Sequence, residues 1–137
     1  MQMLKQRIDD KAMLNLINKW LKARIKSPDG VFDKPSSGSP QGGIISPVLA
    51  NIYLHYALDL WFEKKVKPQM CGRCMMIRYA DDFVCVFQFA SDAERFYKVL
   101  PKRLKRFNLD VAEDKTSLMR FSRFHVGRKR HFVFLGF

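Results

Sequence analysis

Two carboxylates stand side by side at Asp81 and Asp82, with Tyr79-Ala80 before them and Phe83-Val84-Cys85-Val86-Phe87 after. The flanks are apolar and rich in β-forming residues, which places the acidic pair at the tip of a β-hairpin. A two-residue hairpin turn favours Asn-Gly or Asp-Gly because its central residues take positive φ, and Asp-Asp brings no glycine. A local rule broken without local gain marks a candidate functional position. The two negative charges repel, and a hard divalent cation with oxygen ligands reverses that repulsion. An acidic, solvated turn has the same composition, so the pair takes its meaning from the residues around it.

Gly38-Ser39-Pro40-Gln41-Gly42-Gly43 is a second candidate. It precedes a helix start, where backbone N–H groups are free to meet phosphate. It is not a Walker loop, since Ile44-Ile45 follow Gly43 where Lys and Ser or Thr are required. By itself such a stretch is equally a turn. Cys71 and Cys74 form a C-x-x-C pair, but Cys85, His125 and His131 lack the paired spacing that would complete a zinc site. These cysteines therefore read as small apolar residues of a strand.

The elements that must position these groups follow from periodicity. Leu4, Ile8, Met13, Leu14, Ile17, Trp20, Leu21 and Ile25 recur at helical intervals, predicting one or two amphipathic helices over residues 3–25. Ser27-Pro28-Asp29-Gly30 breaks the pattern, and residues 35–43 form a long loop. Ser46-Pro47 opens a helix that runs to about Lys65, with Val48, Leu49, Ile52, Tyr53, Tyr56 and Leu60 on one face. Residues 73–89 are the hairpin. Ser91-Asp92-Ala93-Glu94 has the form of a capping box, and Phe96, Tyr97, Leu100, Leu104 and Phe107 make the buried stripe of the helix behind it. Pro101 is expected to interrupt or kink that helix, and Asn108 suits a left-handed end. Leu109–Val111, Ser117–Phe121 and Phe132–Phe137 read as short strands. Helices alternating with hairpin strands, without regular β-α-β spacing, predict an α+β domain with helices on one face of an antiparallel sheet.

The chain has 137 residues, enough for one domain, and 47% of them are hydrophobic, as folding around a core requires. Twenty-five Lys and Arg against thirteen Asp and Glu give a net charge of +12. Such an excess favours polyanions through counterion release, so nucleic acid is the expected partner. No apolar run approaches the ~20 residues of a membrane span, and no signal-peptide core follows Met1, so no membrane partner is expected and the chain reads as intracellular. Three cysteines, an odd number, argue against a disulfide framework.

The run from Gly38 to Leu54, Gly-Ser-Pro-Gln-Gly-Gly-Ile-Ile-Ser-Pro-Val-Leu-Ala-Asn-Ile-Tyr-Leu, resembles the fourth conserved block of group II intron reverse transcriptases. Tyr79-Ala80-Asp81-Asp82 resembles the fifth, Glu113-Asp114-Lys115-Thr116 after Asn108-Leu109 the sixth, and Phe134-Leu135-Gly136-Phe137 the start of the seventh. A four-residue string arises easily by chance, whereas a seventeen-residue block does not.

The resemblance implies an incomplete polymerase palm, with residues 1–137 forming a single partial domain. It implies that Asp81 and Asp82 hold catalytic Mg2+, with Mn2+ an alternative. Pro40, Gln41 and Gly42 would line the incoming deoxynucleotide and template, Ala80 would lie beside the primer end or the nucleotide, and Lys115 would be a general acid for departing pyrophosphate. Leu135 and Gly136 would begin the primer-gripping hairpin. The implied partners are an RNA template, a DNA primer and intron RNA, in a cytoplasmic and bacterial setting. The family's third metal-binding aspartate belongs to an earlier block that this sequence starts too late to contain, and Asp29 and Asp33 lie too close to Gly38 to replace it. The fingers and thumb are likewise expected elsewhere in a longer protein. Two other readings remain at this point. An RNA-directed RNA polymerase has a similar hairpin, though the Pro-Gln-Gly-Gly loop argues against it. A non-catalytic RNA-binding splicing factor would rest on the basic charge, including Arg120, Arg123, Arg128, Lys129 and Arg130.

Overall fold

The computed structural model describes residues 1–23, 25–26, 32–33, 44–121 and 133–136, and the chain divides into two compact units, Met1–Tyr56 and Ala57–Phe137. The loop with Pro40, Gln41 and Gly42 lies outside the described residues, as do Arg123, Arg128, Lys129 and Arg130.

In the first unit the expected helical segment resolves into a 3-10 turn, Leu4–Gln6, and the helix α1, Lys11–Leu21. Asp10 starts α1: its Oδ1 accepts the N–H groups of Ala12 at 2.7 Å and Met13 at 3.1 Å, satisfying two donors that the first turn leaves without helical partners. Leu4, Leu14 and Ile17 are buried together, with Ile8, Trp20 and Leu21 packed against them. Two short strands, β1 (Ile25–Lys26) and β2 (Phe32–Asp33), pair antiparallel, with Ile25 opposite Asp33. The helix α2 spans Ser46–Leu54 and carries Pro47 in its first turn, where a missing N–H costs nothing. Its Leu49 and Ile52, three apart and so on one face, join the same cluster as α1.

The second unit contains the expected hairpin. His55–Asp59 and Phe62–Val66 wind as π-helical turns, and Lys67–Gln69 as a 3-10 turn. Strand β3, Cys74–Tyr79, pairs antiparallel with β4, Asp82–Phe87, in a register that sets Cys74 opposite Phe87, Met76 opposite Cys85 and Tyr79 opposite Asp82. Side chains alternate across a strand. One face of the hairpin thus turns Cys74, Met76, Phe83, Cys85 and Phe87 towards a core of Leu58, Phe62, Val66, Phe96, Leu100 and Leu104. The opposite face leaves Met75, Ile77, Tyr79 and Val86 exposed. The core-side helix α3, Ala90–Lys105, presents Phe96, Leu100 and Leu104 at four-residue spacing. Phe96 meets Phe62 edge-on at 5.6 Å and Phe87 at 5.2 Å between ring centroids, within the range of favourable aromatic pairs. Helices on one face of an antiparallel hairpin agree with the α+β expectation.

Four local expectations are corrected. The capping box does not form: α3 begins at Ala90 behind an extended Phe89, so Ser91 already lies inside the helix with no side-chain cap. Asp92 is instead buried and accepts the Gly72 N–H at 2.9 Å, tying the start of α3 to the approach to β3. Of the two outcomes expected at Pro101, interruption does not occur, since α3 continues through it to Lys105; Phe96, Leu100 and Leu104 anchor the helix on both sides of the missing N–H. Leu109–Val111 and Ser117–Phe121 are not strands; the chain there is irregular apart from a 3-10 turn at Glu113–Lys115. Leu135 and Gly136 lie in a turn, not a strand, because both have positive φ, 55° and 85°. Asn108 does adopt the left-handed conformation, with φ of 52°. The N–H groups of Asn108 and Leu109 return to the carbonyls of Lys105 and Leu104, the paired bonds that close a helix behind a left-handed residue.

Candidate functional site

The hairpin register decides where the acidic pair falls. Tyr79 pairs with Asp82, so the two residues of the turn are Ala80 and Asp81, and Asp82 is the first residue of β4. This shifts the turn by one residue from an Asp-Asp centre. The positive φ that a tight hairpin needs is carried by Ala80, at 53°. For a residue with a Cβ that conformation costs about 1–2 kcal/mol, a local strain that surrounding contacts must hold in place.

Those contacts come from Arg78, the last inward-facing residue of β3. Its Nε donates to Asp59 Oδ1 at 2.7 Å and its Nη2 to Asp59 Oδ2 at 2.6 Å, a two-pronged ion pair with a helical turn nineteen residues earlier. Its remaining Nη1 donates to the carbonyl oxygen of Ala80 at 2.5 Å. One guanidinium thus joins the π-helical turn His55–Asp59 to the peptide between Ala80 and Asp81. The hydrogen bond to Asp59 is the main cause that raises the Arg78 pKa further above its ordinary value. Neither Arg78 nor Asp59 belongs to a motif visible in the sequence. The available signal was alternation: Arg78 falls in the row of Cys74 and Met76, where a charge requires a partner.

Asp81 and Asp82 are both exposed. Among the described residues neither takes part in an ion pair, so their oxygens are open to a cation. Carboxylate oxygen is the donor that Mg2+ and Mn2+ prefer, and Mg2+ is commonly held by one or two carboxylates plus waters and substrate phosphate. The pair fits that chemistry as part of a ligand shell. Among the described residues no three His, Cys, Asp or Glu side chains are grouped to hold a metal by themselves. The C-x-x-C pair fits a metal less well. Cys71 is exposed in a bend, while burial raises the pKa of Cys74 and pushes Cys85 up to about 12, favouring protonated thiols over the thiolates that metals bind.

Of the other expected site residues, Lys115 is exposed on the 3-10 turn Glu113–Lys115, and Leu135 and Gly136 stand on the terminal turn. Among the described site residues, the hairpin tip brings together Ala80, Asp81 and Asp82. Among the described residues no helix is long and apolar enough to cross a membrane.

A family model described as reverse transcriptase (RNA-dependent DNA polymerase) matches residues 2–137, and the chain belongs to that family. Several of its curated relatives are named as intron proteins, one of them as a group II intron-encoded protein. The chain is 49% identical to the group II intron-encoded protein LtrA of Lactococcus lactis subsp. cremoris over 44% of its own length and 10% of that protein. It is 42% identical to the COX1/OXI3 intron 1 protein of Saccharomyces cerevisiae over 51% of its length and 8% of that protein. The protein YkfC of Escherichia coli is 32% identical over 80% of this chain and 37% of its own length. The matched stretch is therefore a tenth or less of the first two relatives. No solved structure matches the chain.

Proposed function

We propose that this chain contributes part of the palm-like catalytic core of an RNA-directed DNA polymerase encoded by a group II intron. The observation that carries the reading is the exposed Asp81-Asp82 pair on a strained hairpin tip, in a chain that matches the reverse transcriptase family from residue 2 to 137. The reaction is attack of a primer 3′-hydroxyl on the α-phosphorus of a deoxynucleotide paired to an RNA template. A phosphodiester forms, the bond to the β-phosphate breaks, and pyrophosphate leaves with the electron pair. Asp81 and Asp82 would hold Mg2+ or Mn2+, which when bound supplies activation of the attacking oxygen and neutralises charge on the leaving one. Ala80 lies beside the primer end or the nucleotide in this reading, and the loop of Pro40, Gln41 and Gly42 lines the nucleotide and template. Lys115 donates the proton that pyrophosphate takes up, and Leu135 and Gly136 begin the segment that grips the primer.

Phosphoryl transfer asks a protein chiefly for positioning and charge stabilisation. Two carboxylates supply only part of that, and among the described residues no third carboxylate is grouped with them. The chain by itself is accordingly expected to be inactive. The test is primer extension on an RNA template with Mg2+ and deoxynucleotides. It compares this chain, a polypeptide extended to the length of the relatives, and that longer polypeptide with Asp81→Asn. Each ~1.4 kcal/mol of lost transition-state stabilisation is tenfold in rate, so loss of a metal ligand should lower extension by several powers of ten. Extension by this chain alone would show that it already holds the third ligand. A folded, full-length but inactive polypeptide that still binds intron RNA would favour a splicing factor instead, the reading that the +12 charge supports on its own.

A further inference from the structure

We propose that Arg78 and Asp59 are positioning residues for the acidic tip: their ion pair fixes the Ala80 carbonyl and thereby sets the direction in which Asp81 and Asp82 present their carboxylates. The inference rests on the metal-binding reading of the tip but has a readout independent of it.

Three features of the geometry support it. The first is the division of labour within one guanidinium. Two of its nitrogens are committed to the Asp59 carboxylate at 2.7 and 2.6 Å, which leaves its plane no freedom to rotate, and Nη1 is then aimed at Ala80 O at 2.5 Å. A planar, forked cation suits this task, and a lysine ammonium would hold Asp59 or the carbonyl but not orient both. The second is the place of the accepting oxygen. It belongs to the peptide joining Ala80, with its φ of 53°, to Asp81, so the bond restrains the two dihedrals on either side of that peptide. The third is burial: the Arg78 side chain is 12% exposed and that of Asp59 26%, so the pair is partly shielded from water, whereas the two tip aspartates are open to it. A partly shielded, bidentate pair holds its geometry better than a surface ion pair does.

An exposed tip without this support would exchange between turn conformations, and its carboxylates would pay an ordering cost each time a cation bound. Asp59 is not placed as a metal ligand here, because both of its oxygens accept from Arg78. It acts through Arg78, as a partner behind a ligand acts on a metal site.

The experiment uses isotope-labelled full chain in four forms: the natural sequence, Arg78→Lys, Asp59→Asn, and Leu104→Ala. The last removes buried core atoms and serves as a control for lost stability without touching the pair. Two quantities are read at a temperature where every form is folded. One is backbone order at Ala80, Asp81 and Asp82 from heteronuclear NOE; the other is the Mn2+ concentration that half-broadens the tip signals. Arg78→Lys and Asp59→Asn should lower order at the three tip residues to the level of loops and raise the Mn2+ requirement by about tenfold, the low end of what removing a partner behind a metal ligand costs. Leu104→Ala should lower the melting temperature and leave both quantities as in the natural sequence. Tip order unchanged in both Arg78→Lys and Asp59→Asn overturns the proposal, and so does an equal loss of order in Leu104→Ala. If the natural sequence shows no Mn2+ broadening at the tip, the metal reading fails, and the positioning role is then decided by the tip order alone.

Discussion

Ala80 bears the conformational cost of the hairpin tip, and Arg78 is the residue placed to hold it there. Asp92 plays a comparable part at the other end of the same hairpin. Its side chain is buried and accepts the Gly72 N–H at 2.9 Å from the first turn of α3, where a negative charge is favoured by the helix dipole. Gly72 has no room for a side chain, since a Cβ there would lie 2.6 Å from the Phe89 ring and 2.9 Å from Gln88 Cβ. The backbone approach that Asp92 caps is therefore close by necessity. Replacing Asp92 by Ala leaves the Gly72 N–H without its acceptor and should cost about 1–3 kcal/mol. Asp92→Asn keeps an acceptor oxygen, loses the charge at the helix start, and should cost only about 0.3–1 kcal/mol. Urea unfolding of the three proteins checks the order, and equal midpoints for Asp92→Ala and the natural sequence would show that the bond contributes nothing.

At the scale of elements, the β3–β4 hairpin carries a pH dependence of its own. Burial, with a smaller contribution from Cys74, pushes the Cys85 thiol up to about 12, and burial also raises Cys74. In the unfolded chain a thiol ionises near ~8.5. The unfolded state therefore gives up this proton first, so the stability contributed by Cys85 is full below about pH 8.5 and is lost as pH climbs towards 12. The limiting slope is ~1.4 kcal/mol per pH unit, and a half-buried thiol should show a fraction of it. Cys85→Val removes this titration while leaving every lysine and tyrosine in place, so the gap between the two proteins in denaturant unfolding should widen in favour of the variant above pH 9. A constant gap from pH 8 to 11 would show that Cys85 does not titrate this way. The hairpin, α1 and α3 were legible in the sequence because each keeps one period over many residues, whereas the helix expected from Ser46 to about Lys65 winds as an α-helix only to Leu54 and then turns π-helical. What was not legible depended on partners distant in the chain. The capping-box pattern at Ser91 yielded to the Gly72–Asp92 bond, and Pro101 was absorbed by packing on either side. The turn register was set by Tyr79 pairing with Asp82. At the candidate site, the exposed position of Asp81 and Asp82 on the hairpin was legible from residue type and context, whereas the Asp59–Arg78 pair was not, since nothing in their spacing of nineteen residues announces a pair.

Over the whole molecule the excess of positive charge predicts binding to RNA and to DNA with little sequence preference. The logarithm of the affinity should fall linearly with the logarithm of salt concentration as counterions are released. Filter binding or fluorescence anisotropy across a range of salt checks the slope, and a flat line would remove the electrostatic basis of the contact. The exposed face of β3 and β4, with Met75, Ile77, Tyr79 and Val86 side by side, adds a consequence for colloidal behaviour. Among the described residues the β3–β4 sheet has two strands, so both strands are edges, and apolar edges invite pairing between copies. Mutual repulsion of chains that each carry +12 opposes such pairing at low salt. At about 0.15 M salt the screening length is only ~8 Å, and that repulsion falls away together with the attraction for nucleic acid. The same salt that strips RNA from this protein should thus let the protein begin to cluster, and light scattering recorded beside the binding curve will separate release from precipitation.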